Sequence, residues 1–161
     1  MIYALLYIVN IVALNWAFSY VPAFVLPGGI MWSPVALLVG FTFVIRDYAQ
    51  REIGHKVLPA MLVGGIISWY MATPEIAVAS MTAFMVGELA DWAIYTFTGK
   101  PFSQRILLSS LVSTPLDSLV FLLLIDMFSP VMLITMTISK LVGAVAVFYI
   151  ARRKELKTGQ A

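Results

Sequence analysis

Charged side chains are rare in this chain, and several of them stand inside long apolar segments. In GELADWAIY, Glu88 and Asp91 are three residues apart, Trp92 follows Glu88 by four residues, and Tyr95 follows Asp91 by four. Residues three or four apart share one face of an α-helix, so this spacing predicts a stripe of two carboxylates and two aromatic rings. Carboxylates accept N–H donors or exchange protons, and aromatic rings stack on flat ligands.

Two further apolar segments carry an ionisable side chain. Asp117 lies in SSLVSTPLDSLVF, one turn after Ser113 and close to Pro115, and Lys140 lies in TMTISKLVGA. A charge at the centre of a bilayer costs at least about 2.5 to 3.5 kcal/mol on insertion scales, so each one needs a partner or a function. Lys140 could neutralise one carboxylate in a purely structural pair. Because that would leave acid in excess, we expect protons or a polar ligand to balance the remaining carboxylates.

The composition of the chain is that of a membrane protein. Of its 161 residues, 61% are hydrophobic and 11% are charged, whereas soluble domains usually carry about 25% charged residues. There is no cysteine, which excludes disulfides, thiol nucleophiles and Cys-based metal sites. We expect no cofactor and no metal ion. The N-terminus lacks the basic region and the cleavage motif of a signal peptide, so we interpret it as a first spanning helix.

The apolar segments predict an all-α, polytopic membrane protein with six transmembrane helices in a single domain. A bilayer core of about 30 Å requires about 20 apolar residues per helix, and Gly/Pro connectors separate segments of roughly that size. The connector PAFVLPGGIMWSP could be an outer loop or a re-entrant start of the second span. The predicted spans lie near residues 2–21, 31–48, 57–72, 76–97, 106–125 and 130–150, and a basic tail follows at residues 151–161.

The basic residues predict the orientation. Nearly all of them follow the second, fourth and sixth predicted spans, whereas the connectors on the other side carry only the charges of Glu75 and Asp126. By the positive-inside rule, both termini are then cytoplasmic. The basic residues on the cytoplasmic side are Arg46, Arg51, Lys56, Lys100, Arg105, Arg152, Arg153, Lys154 and Lys157.

Four motifs together resemble the VUT family of vitamin uptake transporters, whose characterised members carry queuosine precursors. They lie in four of the six predicted spans, in the order that the family shows. The chain departs from the family's pattern at Arg46, where we expect a small or neutral residue, at Arg51, and in its short length. The motifs are Phe43-xxx-Asp47-xxxx-Glu52-x-Gly54, Glu88-xx-Asp91-xxx-Tyr95, Ser113-xxx-Asp117-xxx-Phe121, and Lys140 followed by small residues.

The resemblance implies a six-helix importer in the inner (cytoplasmic) membrane for 7-deazaguanines, such as 7-cyano-7-deazaguanine or 7-aminomethyl-7-deazaguanine. A carboxylate can accept the adjacent N–H donors of a guanine-like ring, and Trp92 or Tyr95 can stack on its face. Lys140, Asn15 or a serine could donate to the ring oxygen, although Asn15 could equally make only an interhelical hydrogen bond. The implied partners are this purine-like ligand and the lipid bilayer, with no nucleic acid. A homodimer or the partner subunits of an energy-coupling complex remain options.

The segment FVIRDYAQREIGHK combines a topological anchor with candidate functional residues. The fifteen residues 31–45 are too few to cross a bilayer, so we expect the second helix to continue through Arg46 and Asp47. Asp47 is one turn from Arg51, and Glu52 is four residues from Lys56, which favours ion pairs along this helix. We expect Asp47 to line the cytoplasmic end of the substrate path and Glu52 to gate it.

Several functional hypotheses remain open. The first is alternating-access import with protons on Glu88 or Asp117 as the coupling device, and since no Walker A motif is present, the chain itself does not hydrolyse ATP. The second makes the chain the substrate-binding subunit of an energy-coupling complex that docks on the Ala13 and Ala17 face of the first helix. An intramembrane enzyme is less consistent with the sequence, because glycine-flanked aspartates and a serine–histidine pairing within the spans are missing. A structural or channel-like role does not account for four polar sites on separate helices.

Overall fold

The structure, a computed structural model, describes residues 1–27 and 29–158, without the side chains of Glu75 and Thr158. Within these residues the chain forms six α-helices and one short β-hairpin, and a single 3-10 turn joins the second helix to the third. The elements are α1 (Ile2–Tyr20), β1 (Phe24–Leu26), β2 (Ile30–Trp32), α2 (Val35–Ile53), the 3-10 turn (Gly54–Lys56), α3 (Val57–Met71), α4 (Pro74–Phe97), α5 (Phe102–Leu124) and α6 (Pro130–Thr158).

The helices occur in the predicted order, but two of them have different ends. The second helix begins at Val35 and not near residue 31, because residues 30–32 belong to β2. It continues through Asp47 to Ile53, as the short apolar run before Asp47 indicates. The predicted basic tail is helical as far as Thr158, and its residues 159–161 lie outside the described residues.

Four helices in the described part of the chain are long and apolar enough to cross a membrane: α1, α4, α5 and α6. The third helix has only 15 residues, which at 1.5 Å per residue gives about 22 Å. The second carries charged residues along its C-terminal half. Membrane crossing by α2 and α3, and the cytoplasmic placement of both termini, therefore stay predictions.

The connector between α1 and α2 forms an antiparallel hairpin that the Pro and Gly pattern did not reveal. Phe24 pairs with Trp32, and Leu26 pairs with Ile30. The turn requires a left-handed backbone at Gly29, with φ of 76°, which glycine adopts without a steric penalty. The indole N–H of Trp32 donates to the Ser139 hydroxyl on α6 over 2.8 Å. This hydrogen bond anchors the hairpin to the helix bundle.

The six helices pack as a closed ring. Going around it, α1 contacts α2, α2 contacts α6, α6 contacts α5, α5 contacts α4, α4 contacts α3, and α3 returns to α1. The second helix also reaches α4 and α5 across the interior. Side chains on the inner face of α2 are therefore brought to side chains of α4 and α5 that are distant in sequence.

The distribution of side chains is inverted relative to that of a soluble protein. Large apolar side chains such as Leu62, Ile66 and Val142 are exposed on the outside of the ring, whereas Arg46 and Glu88 have no exposed surface. Burying charges while exposing apolar side chains is favourable only where the surroundings are lipid and the interior is polar.

A close crossing fixes α2 against α6. A Cβ atom on Gly40 would overlap the carbonyl oxygen of Lys140 and lie 2.7 Å from its carbonyl carbon. One turn further along α6, a Cβ atom on Gly143 would lie 3.2 Å from the backbone nitrogen of Phe41. Only glycine allows the two backbones to approach this closely, as in other helix pairs within membranes.

Candidate functional site

Arg46 is the centre of the largest buried charge cluster. Its guanidinium contacts three carboxylates: Asp47 on the same helix, with Nη2 2.8 Å from Oδ1, Glu88 on α4, with Nε 3.4 Å from Oε2, and Asp91 on α4 through Nη2. All four side chains have no exposed surface. The guanidinium therefore spans the ring interior from α2 to α4.

Gln50 completes the polar environment of Arg46 toward the C-terminal end of α2. One turn after Arg46 on α2, its amide oxygen accepts a hydrogen bond from Nη1 of Arg46. Its amide nitrogen donates to the Thr96 hydroxyl on α4 over 2.8 Å. Gln50 thus adds a second link between α2 and α4.

The fifth helix presents a stripe of hydroxyl groups to the same cluster. The Ser109 hydroxyl donates to Asp47 over 3.2 Å, and the Ser113 hydroxyl donates to Asp91 over 3.3 Å. These residues recur at helical spacing, so they share the inner face of α5. The fully buried hydroxyl residues of this stripe are Ser103, Ser109, Ser110, Ser113, Thr114 and Ser118.

A second charged pair lies on the inner faces of α5 and α6. The Lys140 ammonium forms an ion pair with Asp117 and donates to the Ser118 hydroxyl over 2.9 Å. A Cβ atom on Gly87 would lie 2.7 Å from the Cβ of Asp117, so α4 and α5 are in close contact beside this pair. The residue after that glycine on α4 is Glu88, which belongs to the Arg46 cluster.

Glu88 is the least satisfied group of the cluster. Its contact with Nε of Arg46 is long, its carboxylate faces the Tyr7 hydroxyl, and neither of its oxygens makes a hydrogen bond of ordinary geometry to the described residues. Glu88 also interacts electrostatically with the carboxylates of Asp47 and Asp117. Because a buried oxygen without a hydrogen bond is costly, this carboxylate is the one with most to gain from a ligand N–H group or a proton.

The interior contains more acid than base. The carboxylates of Asp47, Glu88, Asp91 and Asp117 face the cations Arg46 and Lys140. The sequence predicts an excess of buried acid. In the structure Asp47 and Arg46 join the buried charges, and because one is an acid and the other a cation, the excess is unchanged. Asp91 lies six residues before the end of α4 and is nevertheless fully buried.

Tyr95 is an aromatic side chain that borders the cluster on the side of Arg46. It is 6% exposed, and the guanidinium carbon of Arg46 lies 5.7 Å from its ring centroid. Arg105 approaches the same ring at 5.6 Å, and Phe102 packs edge-on against it. Tyr95 therefore lies between the charge cluster and the predicted cytoplasmic end.

Two predicted ligand contacts lie elsewhere in the structure. Trp92 turns away from the carboxylates, and its indole N–H donates to Nδ1 of His55 over 3.3 Å. Asn15 donates to the Ser68 hydroxyl over 3.1 Å, so it joins α1 to α3. Of the predicted aromatic pair, only Tyr95 lies beside the charges.

The predicted ion pairs along the end of α2 are not formed. Asp47 pairs with the adjacent Arg46 and not with Arg51, whose guanidinium carbon lies 4.6 Å from the ring centroid of Phe102. On helical spacing alone, Arg51 is the expected partner of Asp47. Arg46 pairs with it instead because both side chains are buried, and the attraction between two charges is stronger in the dry interior than at an exposed position.

The predicted partner of Glu52 is Lys56, but in the structure Glu52 stabilises the start of α1. Its carboxylate accepts hydrogen bonds from the backbone N–H groups of Ile2 at 2.8 Å and Tyr3 at 3.0 Å, and it forms an ion pair with the Met1 ammonium. These contacts, above all the one to the ammonium, lower the pKa of Glu52. The carboxylate joins the start of α1 to the end of α2.

Sequence reasoning missed the role of Arg46, which it counted among the basic residues that set the orientation. A signal was present: the length of the apolar run predicts that the second helix continues through Arg46 as well as Asp47, yet only Asp47 was given a role in the site. The serines of α5 gave a second signal through their helical spacing, of which only Ser113 was used.

A ring of six helices with an apolar exterior and a charged, closed interior defines the class of multi-pass membrane proteins that handle polar solutes. A family model with the description "Putative vitamin uptake transporter" matches residues 1–152. The chain belongs to this family, the VUT family of the resemblance. A comparison with curated proteins gives no match, and neither does a comparison with solved structures.

Proposed function

We propose that the chain imports queuosine precursors, 7-cyano-7-deazaguanine or 7-aminomethyl-7-deazaguanine, across the inner (cytoplasmic) membrane. The observation that carries this proposal is the acid-rich cluster at the centre of the ring, with Glu88 lacking hydrogen bonds to the described residues. A structural membrane protein gains nothing from buried acid in excess of base, whereas a transporter requires polar groups in its interior.

The chemistry of the cluster suits a guanine-like ring. Such a ring carries neighbouring N–H donors on one edge, which the carboxylates of Glu88 and Asp91 can accept strongly in a water-poor site. Tyr95 supplies a stacking surface worth about 1 to 3 kcal/mol. The ring oxygen requires a donor, and the buried hydroxyl of Ser110, which has no hydrogen-bond partner among the described residues, is a candidate beside Lys140.

Transport by alternating access fits the closed state of this site. The cluster has no exposed surface, so the ring has to open on one side for a ligand to enter and on the other for it to leave. Glu88 and Asp117 are the proposed proton carriers, because protons on either carboxylate would reduce the excess of acid during closure.

The experiment is uptake of labelled deazaguanines by cells that express the chain, compared with cells that express Glu88→Gln or Asp117→Asn. We expect both variants to lose most of the uptake at unchanged membrane abundance. Asp126→Asn is a matched control, since Asp126 is exposed and has a left-handed φ of 54°, which asparagine tolerates.

Two results would count against the proposal in different ways. Full uptake in both Glu88→Gln and Asp117→Asn would show that the site is elsewhere. Absence of uptake for every deazaguanine, with the protein present in the membrane, would show that the substrate class is wrong.

A further inference from the structure

The guanidinium of Arg46 and the donor edge of a guanine-like ring have the same local chemistry. In both, a planar carbon carries nitrogen atoms whose N–H groups point in nearly parallel directions, a pattern that matches carboxylates. We propose that Arg46 is an internal competitor of the substrate: its guanidinium occupies Glu88 and Asp91 in the closed, empty ring, and the donor edge of the ligand displaces it. This inference rests on the proposed function and assigns a role to a residue that the family resemblance does not predict.

The position of Arg46 makes the competition unavoidable. The guanidinium reaches from α2 to Glu88 and Asp91 on α4, and α2 and α4 are not neighbours in the ring. It therefore occupies the interior space between these helices. A ligand that uses the same carboxylates has to move the guanidinium aside.

Arg46 can leave α4 without becoming an isolated charge. Two of its partners, Asp47 and Gln50, lie on α2 and move with it. A displaced Arg46 keeps a carboxylate and an amide oxygen, whereas Glu88 and Asp91 on α4 become free to accept the ligand. Removing a buried charge from all of its partners would be prohibitive, but transferring only part of its contacts is not.

The Glu88 contact is the place where exchange is easiest. Its separation of 3.4 Å from Nε of Arg46 is long for a charge-assisted hydrogen bond, and neither oxygen is satisfied by the described residues. A ligand N–H group at ordinary hydrogen-bond length would improve this contact. Displacement can therefore begin at Glu88 and proceed to the closer pair at Asp91.

The competition sets the affinity for the substrate. If Arg46 occupies the carboxylates in about nine of ten empty molecules, the apparent affinity is about tenfold weaker than that of the open site. Removal of the side chain should then tighten binding by about that factor. It should also leave a guanidinium-shaped space that free guanidinium ion can fill.

The test measures binding of 7-cyano-7-deazaguanine and 7-aminomethyl-7-deazaguanine to the full chain in detergent, for the wild type and Arg46→Ala, with and without millimolar guanidinium chloride. We expect Arg46→Ala to bind about tenfold more tightly. Guanidinium should raise the melting temperature of this variant and weaken its ligand binding, with neither effect in the wild type. Arg153→Ala, at an exposed position of α6, controls for the loss of one positive charge.

The inference is overturned if guanidinium strengthens ligand binding by Arg46→Ala instead of weakening it. If Arg46 instead contacts the bound ligand, Arg46→Ala loses binding and guanidinium restores it. Unchanged affinity in Arg46→Ala, insensitive to guanidinium, assigns Arg46 a purely structural role and also overturns the inference. If Arg46→Ala does not fold, Arg46→Lys takes its place: its ammonium lacks the planar fork, so tighter binding than wild type supports competition and equal or weaker binding contradicts it.

Failure of the proposed function gives a different pattern. In that case the wild type neither binds nor takes up any deazaguanine, and displacement by this ligand falls with it. If instead the wild type binds and transports a deazaguanine while the Arg46 variants behave as a ligand contact, the function stands and only the competition is wrong.

Discussion

The ion pair between Lys140 and Asp117 separates a structural role of the buried charges from a role in transport. Both side chains are more than nine-tenths buried, with exposed fractions of 4% and 8%. Lys140→Met keeps an unbranched side chain of similar length but removes the ammonium. Asp117 then remains buried without its cation, and the Ser118 hydroxyl, which accepts a hydrogen bond from the ammonium in the wild type, lies beside the vacated position.

The expected loss of stability is large for a single substitution. Removing one partner of a buried ion pair costs about 3 to 5 kcal/mol, and we take about 3 kcal/mol because Ser118 remains available to Asp117. A chain of this length loses about 2 to 4 °C of melting temperature per kcal/mol, so the melting temperature should fall by roughly 6 to 12 °C. Lys140→Met combined with Asp117→Asn removes both charges and should recover more than half of that loss.

The assay is thermal unfolding of the purified chain in detergent for the wild type, both single variants and the double variant, with uptake measured in parallel. The four melting temperatures form a double-mutant cycle, from which the coupling of the pair is obtained. Lys56→Met, at an exposed position of the 3-10 turn, is the matched control.

Two results would refute this reasoning. A melting temperature of Lys140→Met within about 2 °C of wild type would mean that the pair contributes little to stability. Recovery of both stability and uptake in the double variant would mean that the pair is only structural. We expect stability to return and uptake to remain lost, because the neutral pair can pack but cannot exchange a proton.

Three further predictions concern the fold and the contact of Glu52 with the start of α1. Gly40→Ala should cost about 1 to 3 kcal/mol by forcing α2 and α6 apart, measured by thermal unfolding against Gly99→Ala, where a Cβ atom meets nothing within 4 Å. Trp32→Phe removes the hydrogen bond to α6 and should cost about 0.5 to 1.5 kcal/mol, visible as faster hydrogen exchange confined to the hairpin. Glu52 has a lowered pKa, so its stabilising contribution is complete above the ordinary glutamate pKa of about 4.3 and is lost as pH falls through the lowered value. Melting temperatures of wild type and Glu52→Gln should therefore differ near neutral pH and converge in acid, and a difference that persists in acid would contradict the capping role.

The order of the helices could be predicted from the sequence because each helix corresponds to one apolar run. The hairpin could not. Its strands have only three residues each, too few for an alternating pattern to be distinguished from an apolar loop. What holds it is the hydrogen bond from Trp32 to Ser139, a residue 107 positions away, and such a contact has no local signature.

The sequence predicts which carboxylates belong to the candidate site, but it does not predict which cation each of them pairs with. Glu88, Asp91 and Asp117 are conspicuous because a carboxylate in an apolar run requires an explanation. Arg46 was less conspicuous, because a basic residue near the end of a span is usually explained by topology. Which acid it pairs with depends on the approach of α2 to α4 across the ring, and that approach follows from the packing of all six helices.

The excess of buried acid links substrate charge to proton movement. Among the described side chains, the interior holds four carboxylates and two cations, and a closed ring in a lipid bilayer cannot carry two uncompensated charges at low cost. Closure around a ligand therefore requires positive charge from protons or from the ligand itself.

A 7-aminomethyl group is a primary amine and is protonated near neutral pH, whereas a 7-cyano group is neutral. Whichever carboxylates carry the protons, closure around the aminomethyl ligand requires one proton fewer than closure around the cyano ligand. Under the proposed function, the two ligands thus differ in the charge that the same protein has to balance, and only the neutral one depends fully on protonation of the site.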